Sequence, residues 1–263
     1  MRLLFAALLC TCILPCYSQK SNTHKLVWSD EFNTPGSPDT TKWTYDLGAG
    51  NPAGWGNNEL QYYTNNNKNV RIENGSLIIE ARKESLNGMP YTSSRILTKK
   101  KGDWLYGRVE IKAKLPKGRG TWPAIWMLPT TWVYGSWPSS GEIDIMEHVG
   151  YDPGVVHGTI HTESYNHMKQ TQKGGQIQLS DADNTFHIYT IEWTATKIDF
   201  LVDDKVYYAV TKSPNEDYKG WPFNQAFHLI MNIAVGGGWG GKEGVDETIW
   251  PQRMEVDYVR VYQ

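Results

Sequence analysis

Three carboxylates lie within residues 142–147, whose sequence is Glu-Ile-Asp-Ile-Met-Glu. The acids at 142 and 144 alternate with isoleucines at 143 and 145, and this period of two is typical of a β-strand. One face of such a strand is apolar, and Glu142 and Asp144 lie on the other face. Glu147 has the wrong spacing for the acidic face of a regular strand. We therefore predict a β-bulge between Asp144 and Glu147 that returns Glu147 to that face.

Two glutamates and one aspartate on a single strand face suit the hydrolysis of a glycosidic bond. Cα atoms four pleat positions apart are separated by roughly 13 Å. Side chains that lean together can bring the carboxyl groups to about 5–5.5 Å, the separation in a retaining glycosidase. One glutamate then attacks the anomeric carbon, and the other protonates the leaving oxygen and later activates water. Asp144 is expected to hydrogen-bond the nucleophile, and its charge favours a protonated acid/base.

The same three acids have two other interpretations. They could form a solvated charged face, but they lie in an apolar run that follows several tryptophans. They could also bind calcium, but residues 142–147 lack the D-x-[DN]-x-[DN]-G spacing of an EF-hand loop, with its glycine at position six. The sequence context therefore favours the hydrolase interpretation.

The beginning of the chain has the pattern of a secretion signal. A basic Arg2 is followed by an apolar run over residues 3–14 and then by Pro15-Cys16-Tyr17-Ser18. This pattern is typical of a signal peptide, and the apolar run is too short to span a bilayer without strain. We predict a signal peptide at 1–18, cleavage after Ser18, and a single catalytic domain at 19–263. The protein is expected to be secreted, either to the extracellular medium or to the periplasm.

All three cysteines, Cys10, Cys12 and Cys16, lie in the predicted signal peptide. A lipoprotein anchor on Cys16 or Cys12 is the alternative to simple cleavage. In either case the rest of the chain has no disulfide, so its fold must depend on one large hydrophobic core. The formal net charge is −2 and no basic run occurs, which argues against nucleic acid as a partner.

Beyond the signal, short alternating segments recur and no long segment has a helical period. Strands are predicted at residues 108–115, 186–193, 227–235 and 254–262. Two further strand-like runs within 197–210 meet at Asp203-Asp204, which predicts a hairpin. Many short strands with glycine, proline and asparagine between them indicate an all-β chain folded as an antiparallel β-sandwich. Two glycine-rich loops, at 48–58 and 236–241, each carry a tryptophan.

Tryptophan is abundant, with 12 residues, and part of this content is clustered. Four of the tryptophans, Trp122, Trp126, Trp132 and Trp137, come shortly before the acidic strand. Any one of them alone could be ordinary packing. Sugar rings have apolar C–H faces and hydroxyl-rich edges, so a sugar-binding cleft needs aromatic platforms with polar groups beside them. The clustering therefore favours a carbohydrate cleft next to the three acids.

These features together resemble glycoside hydrolase family 16, and within it the bacterial laminarinases. Residues 141–150 match the E-x-D-x-x-E signature of that family. The similarity runs from residues 26–32 to residues 256–262, with further matching segments at 55–63, 91–96 and 121–128. Essentially the whole mature chain is covered. The resemblance implies a jelly-roll β-sandwich whose concave sheet holds the substrate cleft.

The resemblance also implies an activity. The expected enzyme is an endo-acting hydrolase that cleaves β-1,3-glucosidic bonds of laminarin-type β-glucans with retention, with Glu142 as nucleophile and Glu147 as acid/base. It would act as a monomer and need no catalytic cofactor. A mixed-linkage β-1,3-1,4-glucanase or another polysaccharide hydrolase of the family is the alternative. A non-catalytic β-glucan-binding protein is a further alternative, but such a protein has no need of all three acids.

The same match assigns further residues by position. Sugar contacts on the non-reducing side of the scissile bond are implied for Asn57, Arg95, Trp122, Trp126 and Trp137. His161 would lie near the acid/base, and Trp239 would wall the cleft. From the residue pattern alone, Arg95 could equally form a surface ion pair, and His148 and His157 could be ordinary core or surface groups.

A structural calcium ion is often present in the family. The resemblance implies that Glu31, the carbonyl of Gly75 and Asp257 would bind it in this chain.

Overall fold

A computed structural model describes residues 25–263, so the predicted signal peptide and the three cysteines lie outside the described residues. Within 25–263 the regular structure consists of 18 β-strands and one short 3₁₀ helix, His167–Lys169. In the same range, no helix has the length and apolar character needed to cross a bilayer. The all-β prediction is confirmed.

Two antiparallel sheets of eight strands each form the body of the fold. The sheet that carries the acids, called here the acid-bearing sheet, contains β2 (Thr44–Asp46), β7 (Arg95–Leu97), β8 (Asp103–Trp104), β10 (Thr121–Pro129), β11 (Glu142–His148), β12 (Val155–His161), β13 (Lys173–Gln178) and β17 (Phe227–Val235). The opposite sheet contains β1 (Leu26–Asp30), β4 (Val70–Glu73), β5 (Ser76–Ala81), β9 (Gly107–Lys114), β14 (His187–Trp193), β15 (Lys197–Val202), β16 (Lys205–Thr211) and β18 (Gln252–Tyr262). A small parallel pair is formed by β3 (Gln61–Tyr63) and β6 (Tyr91–Ser93).

The strands predicted from alternation are present with nearly the expected bounds. The strand predicted at 227–235 is β17, and those predicted at 186–193 and 254–262 are β14 and β18. The hairpin predicted at Asp203-Asp204 joins β15 to β16, and both aspartates have positive φ, 49° and 62°. Positive φ at both central residues is the geometry of the hairpin turn that matches strand twist.

One charged side chain in the alternating sequence of β9 is buried. Strict alternation of charged and apolar residues would leave the charged face in water, yet Arg108 is only 6% exposed. Its guanidinium is covered because it pairs with Glu110 on its own strand, Glu192 on β14 and Asp204 in the hairpin turn. A buried cation is tolerated when it is fully paired, so this position is part of the fold despite its charge.

The core lies between the two sheets. It combines inward side chains of the acid-bearing sheet, such as Ile125 and Ile143, with those of the opposite sheet, such as Ile111 and Ile191. All nine residues of β17 are buried, as expected for a central strand. Full burial of each aliphatic side chain contributes roughly 1.5–3 kcal/mol. The packing of these inward-facing side chains fixes the strands of the acid-bearing sheet, and the acids lie on the outer face of that sheet.

Candidate active site

Strand β11 presents its three acids on one face because its pairing contains a bulge. On one side, Asp144 is paired with Thr159 of β12 and Glu147 with His157, and the register shifts between these two pairs. On the other side, Trp126 of β10 is paired with Asp144 and Ala124 with Glu147, again with a shift between. Two residues of β11 thus oppose one residue of each neighbour, as in a β-bulge. The predicted bulge is confirmed.

The apolar residues of β11 occupy the other face. Ile143, Ile145 and Met146 have exposures of 0%, 1% and 0%. Their burial pins the register of the strand, since a slip by one residue would send every side chain to the wrong face. The core therefore fixes the acids in place.

Each outer glutamate receives a hydrogen bond from one tryptophan. The indole Nε1–H of Trp137 donates to Glu142 Oε2 at 3.0 Å. The indole Nε1–H of Trp122, on β10, donates to Glu147 Oε1 at 3.0 Å. Indole is a donor only, so each contact holds one oxygen of its carboxylate in a fixed direction.

Asp144 and His161 complete the group around Glu142. Asp144 is 2% exposed and shares a hydrogen bond with Glu142. His161 Nε2 lies 3.4 Å from Asp144 Oδ2 and 3.9 Å from Glu142 Oε1. Burial lowers the pKa of His161 to about 4, with His167 acting in the same direction. At neutral pH His161 is therefore an uncharged imidazole.

The position of His161 corrects one expectation. His161 was expected near Glu147, but in the antiparallel pairing it lies directly opposite Glu142, and His157 lies opposite Glu147. The reason is that β12 runs antiparallel to β11, so the end of β12 meets the start of β11. The histidine beside Glu147 is His157. Its ring lies edge-on to the ring of Trp239, with the two ring centroids 5.1 Å apart.

The three acids share one buried environment, and this controls their protonation. Burial raises the pKa of Glu142, and the charge of Glu147 adds to the increase. Burial also raises the pKa of Glu147, and it raises that of Asp144 well above the usual value, reinforced there by the other two acids. Like charges in one site cannot all ionise at ordinary pH, so the group titrates as a unit.

The neighbours of the two glutamates differ in sign. Glu142 is stabilised as an anion by the Trp137 N–H, by the positive charge of Arg95 and by a hydrogen bond from Asp144. Glu147 has one such donor, Trp122, and in addition a nearby negative charge, Glu59. Burial raises the pKa of both glutamates, and beyond that effect the hydrogen-bond donors and Arg95 favour ionisation of Glu142, whereas Glu59 opposes ionisation of Glu147. A buried pair of this kind can supply a nucleophile and a proton donor simultaneously.

Two of the residues expected to contact sugar form an aromatic and cationic stack. Arg95 lies with its guanidinium carbon 4.6 Å from the centre of the Trp55 ring and 4.7 Å from that of Trp126. Its Nε is 3.0 Å from Asp46 Oδ2, so the ion pair considered from the sequence is also present. The Trp126 indole donates to Asn232 Oδ1 at 2.8 Å.

The glycine-rich loop at 236–241 places Trp239 next to Trp122 and His157, the two neighbours of Glu147. The rings of Trp239 and Trp122 meet edge to face with centroids 5.6 Å apart. In the segment between β10 and β11, a surface pocket of about 360 Å³ is lined by Trp132, Gly135, Ser136 and Trp137. Aromatic side chains therefore flank the acids near both Glu142 and Glu147.

Sequence reasoning assigned no role to four residues that the structure places beside the site. A buried hydrogen-bond network links Glu59, Gln61, Tyr63 and Asn232 to the predicted sugar contacts Asn57 and Trp126. Three of the four, at 59, 61 and 63, alternate with a period of two. The same signal that identified the acidic strand could therefore have shown that these side chains share a face.

The residues expected to bind calcium lie in strands of the opposite sheet or directly beside them, and the acids lie on the other sheet. Strand pairing sets Asp30 beside Val259 and Leu77 beside Val256, which brings Glu31, the Gly75 turn and Asp257 to one corner. Both carboxylates have cationic partners in the structure. Glu31 accepts two hydrogen bonds from Arg260, at 2.9 and 2.8 Å, and Asp257 is 2.7 Å from Lys112 Nζ.

Comparison with known proteins is consistent with this geometry. The family model described as "Glycosyl hydrolases family 16" matches residues 57–260. A beta-glucanase of Rhodothermus marinus is 56% identical over 253 residues, which are 94% of this chain and 87% of the relative. The X-ray structure of the laminarinase from Rhodothermus marinus superposes with a TM-score of 0.89 at 56% identity, covering 91% of this chain and 97% of that one. SCLam, a non-specific endo-β-1,3(4)-glucanase, superposes with a TM-score of 0.87 at 48% identity, covering 92% of each chain.

Proposed function

The chain belongs to glycoside hydrolase family 16, and on that basis we propose that it hydrolyses internal β-1,3-glucosidic bonds of laminarin-type β-glucans with retention of anomeric configuration. One observation carries this proposal. Glu142 and Glu147 lie on one face of β11, each oriented by a different indole N–H. This is the arrangement that a two-carboxylate double displacement requires.

In the first step, the Glu142 carboxylate attacks the anomeric carbon. The glycosidic C–O bond breaks, and the leaving oxygen takes the proton of Glu147. The product is a glycosyl ester on Glu142 with inverted configuration. Asp144 acts as the partner that holds Glu142 in line through their shared hydrogen bond.

In the second step, Glu147 works in the opposite direction. It is now ionised and removes a proton from a water molecule on the face that the leaving group has vacated. The water oxygen forms a bond to the anomeric carbon and the ester to Glu142 breaks. Two inversions give net retention, and both glutamates return to their starting protonation states.

Similarity to the Rhodothermus marinus laminarinase supports a preference for β-1,3-glucan. The likeness to a non-specific endo-β-1,3(4)-glucanase keeps mixed-linkage glucan as the second candidate substrate. The aromatic groups around the acids supply the platforms for sugar rings: Trp55, Trp122, Trp126, Trp137 and Trp239.

Laminarin, barley β-glucan, cello-oligosaccharides and agarose, tested in parallel, distinguish the candidates. We expect the highest kcat/KM on laminarin, early release of oligosaccharides of mixed length, and the β-anomer as the first product seen by NMR. Higher activity on barley β-glucan would establish the mixed-linkage alternative. Comparable activity on cello-oligosaccharides would contradict the β-1,3 assignment, and an α-anomer at early times would contradict retention. Complete inactivity on all four would favour a binding protein.

We also propose a structural calcium site formed by Glu31, the Gly75 carbonyl and Asp257. Carboxylate and carbonyl oxygens are the ligands that calcium prefers. The pairs with Arg260 and Lys112 are partly exposed, with 34–38% of each side chain accessible. Exposed ion pairs contribute little to stability, so calcium can replace the cations as partner of these acids.

Removal of calcium should lower stability without changing the chemistry. Binding to the folded state alone adds about 2.7 kcal/mol when free ion is at 100 times Kd, which corresponds to a fall in Tm of roughly 5–10 °C on chelation. The measurement is Tm with EDTA and with added Ca²⁺, together with kcat on laminarin at low temperature. Asp257→Asn should remove the response to calcium, whereas Glu247→Gln, which changes an exposed acid paired with Lys83, should not. An identical Tm with chelator and with Ca²⁺ would rule out the site.

Export and the monomeric state complete the proposal. We propose that residues 1–18 direct secretion and that the exported protein begins at Gln19, which N-terminal sequencing would show. A lipidated Cys16 would establish the anchored alternative. All groups of the candidate site come from one chain, which supports action as a monomer, and light scattering after size exclusion would test this.

A further inference from the structure

Glu59 is a buried carboxylate next to the candidate site with no role in the mechanism above. It is 7% exposed and lies just before β3, where its backbone forms a bridge to Gly236. Within residues 25–263, no Lys, Arg or His nitrogen lies within ion-pair distance of it. Its carboxylate instead accepts hydrogen bonds from Asn57 Nδ2 at 3.0 Å, Gln61 Nε2 at 2.6 Å and the Tyr63 hydroxyl at 3.4 Å.

The direction of the Gln61 bond is fixed by the backbone. Gln61 Oε1 accepts a hydrogen bond from the Val235 N–H at 2.8 Å. A backbone N–H can only donate, so the amide oxygen of Gln61 must face Val235 and its NH₂ group must face Glu59. Glu59 is therefore an acceptor in this contact.

The direction of the hydrogen bond between Tyr63 and Glu59 follows from the contacts of Asn232 and Trp126. The Trp126 indole can only donate, so Asn232 Oδ1 is the acceptor and Asn232 Nδ2 must donate to the Tyr63 oxygen, at 3.0 Å. The hydroxyl hydrogen of Tyr63 then points to Glu59. Burial raises the pKa of Glu59, and the hydrogen bonds from Asn57, Gln61 and Tyr63 together with the charge of Arg95 oppose that rise. Three donors around one carboxyl group favour its ionised form.

Glu59 is also close to Trp122, the residue that hydrogen-bonds the proposed proton donor Glu147. A Cβ placed on Gly237 would be 3.3 Å from Glu59 Cγ and 3.3 Å from the ring of Trp122. Trp122 in turn donates to Glu147. Glu59 is therefore next to the Trp122–Glu147 pair and is also the first member of the series of hydrogen bonds that leads to Trp126.

We infer that Glu59 is a positioning residue with two effects: it orients Asn57 and, through Tyr63 and Asn232, Trp126 for glucan binding, and it keeps the proton on Glu147. This inference rests on the proposed function. Because the NH₂ of Asn57 faces Glu59, its amide oxygen is left to accept a hydrogen bond from a sugar hydroxyl. Asn57 would therefore recognise a hydroxyl donor.

The charges around Glu147 support the second effect. Burial is the main cause of the raised pKa of Glu147, and the negative charge of Glu59 acts in the same direction, against the Trp122 hydrogen bond. The other titratable groups facing Glu147 are Glu142 and Asp144 on its own strand and His157 opposite it on β12. Strand β10, on the other side, contributes no titratable group.

Glu59→Gln removes the charge with little change in shape and tests both effects. A nearby anion raises the pKa of an acid, so its loss should lower the pKa of Glu147. The basic limb of kcat/KM against pH should then move to lower pH by about one unit, the scale for a unit charge in a partly shielded site. KM for β-1,3-gluco-oligosaccharides should rise roughly three- to tenfold, equivalent to one lost hydrogen bond.

Two other variants separate these effects from a loss of fold. Glu80→Gln changes an equally buried acid, 5% exposed, on the opposite sheet, and should lower Tm without moving the basic limb. Glu59→Asp retains the charge and should keep the limb in place while KM rises. An unmoved limb and an unchanged KM in Glu59→Gln would overturn the inference.

The test remains informative if Glu59→Gln does not fold. Tyr63→Phe removes the hydrogen bonds that connect Glu59 to Asn232 and Trp126 but keeps the charge of Glu59. It should therefore raise KM and leave the basic limb at or above its wild-type pH. An unchanged KM in Tyr63→Phe would overturn the positioning role. Wild-type protein that shows no hydrolysis of any glucan would overturn the proposed function instead, so the two failures are distinguishable.

Discussion

Glu142→Ser is expected to abolish hydrolysis of laminarin while binding of laminari-oligosaccharides survives. The variant keeps Glu147 and the aromatic groups but has no carboxylate to attack the anomeric carbon. Loss of a nucleophile commonly lowers kcat by roughly 10⁴–10⁶-fold. The measurements are kcat on laminarin and the dissociation constant of an oligosaccharide by calorimetry. Near-normal hydrolysis by this variant would exclude Glu142 as the nucleophile.

Azide provides a second test of the same role. A small anion can occupy the space left by the Glu142 side chain and attack from the same face, while Glu147 still protonates the leaving oxygen. Turnover should return with azide, and the product should be the α-glycosyl azide, formed with a single inversion. Glu247→Ser is the matched control, since it removes a carboxylate with 70% exposure whose partner is the surface residue Lys83. It should hydrolyse laminarin at the wild-type rate and give no azide adduct.

Glu147→Ala is expected to have the second largest effect, and one that depends on the leaving group. Without a proton donor, kcat/KM on laminarin should fall about 10²–10⁴-fold, the usual contribution of general acid–base catalysis. An aryl β-glucan oligosaccharide with an acidic phenol needs little protonation, so its first step should be nearly unaffected. Azide should then accelerate breakdown of the glycosyl-enzyme and give the β-glycosyl azide.

The pH profile gives an independent test of Glu147. Since its pKa is raised by burial, wild-type kcat/KM should decline on the basic side only well above the usual range of a glutamate. This decline should disappear in Glu147→Ala with the activated substrate, because no proton is then required. A basic limb that persists in the variant would assign it to another group. Equal losses on laminarin and on the aryl substrate would contradict the acid/base role.

Features that depend on alternation were predictable from the sequence. Ile143 and Ile145 mark one face of β11, and the odd spacing of Glu147 leaves a bulge as the way to keep three acids together. The hairpin at Asp203-Asp204 was predictable because few residue types accept positive φ in such turns. These inferences need only neighbours along the chain.

Features that depend on which strands meet were not predictable in this way. Tyr63 and Asn232 are 169 positions apart in the chain, yet their side chains form a hydrogen bond. The burial of Arg108 likewise depends on Glu192, 84 positions away. Alternation tells which face a side chain occupies but carries no information about the strand beside it. The position of His161 opposite Glu142 required the register of β11 with β12 for the same reason.

The bulge in β11 has a consequence for chain length. Removing Ile145 would leave Glu142, Asp144 and Glu147 at strict alternation, and the pairing with β10 and β12 would become regular on both sides. The acids would still share a face, at the cost of one buried isoleucine. Adding one residue there would also restore alternation, but Glu147 would then lie six positions from Glu142 and farther along the strand from its partner. A one-residue gap at this point, when such sequences are aligned, would thus mark a straightened strand that retains its proton donor.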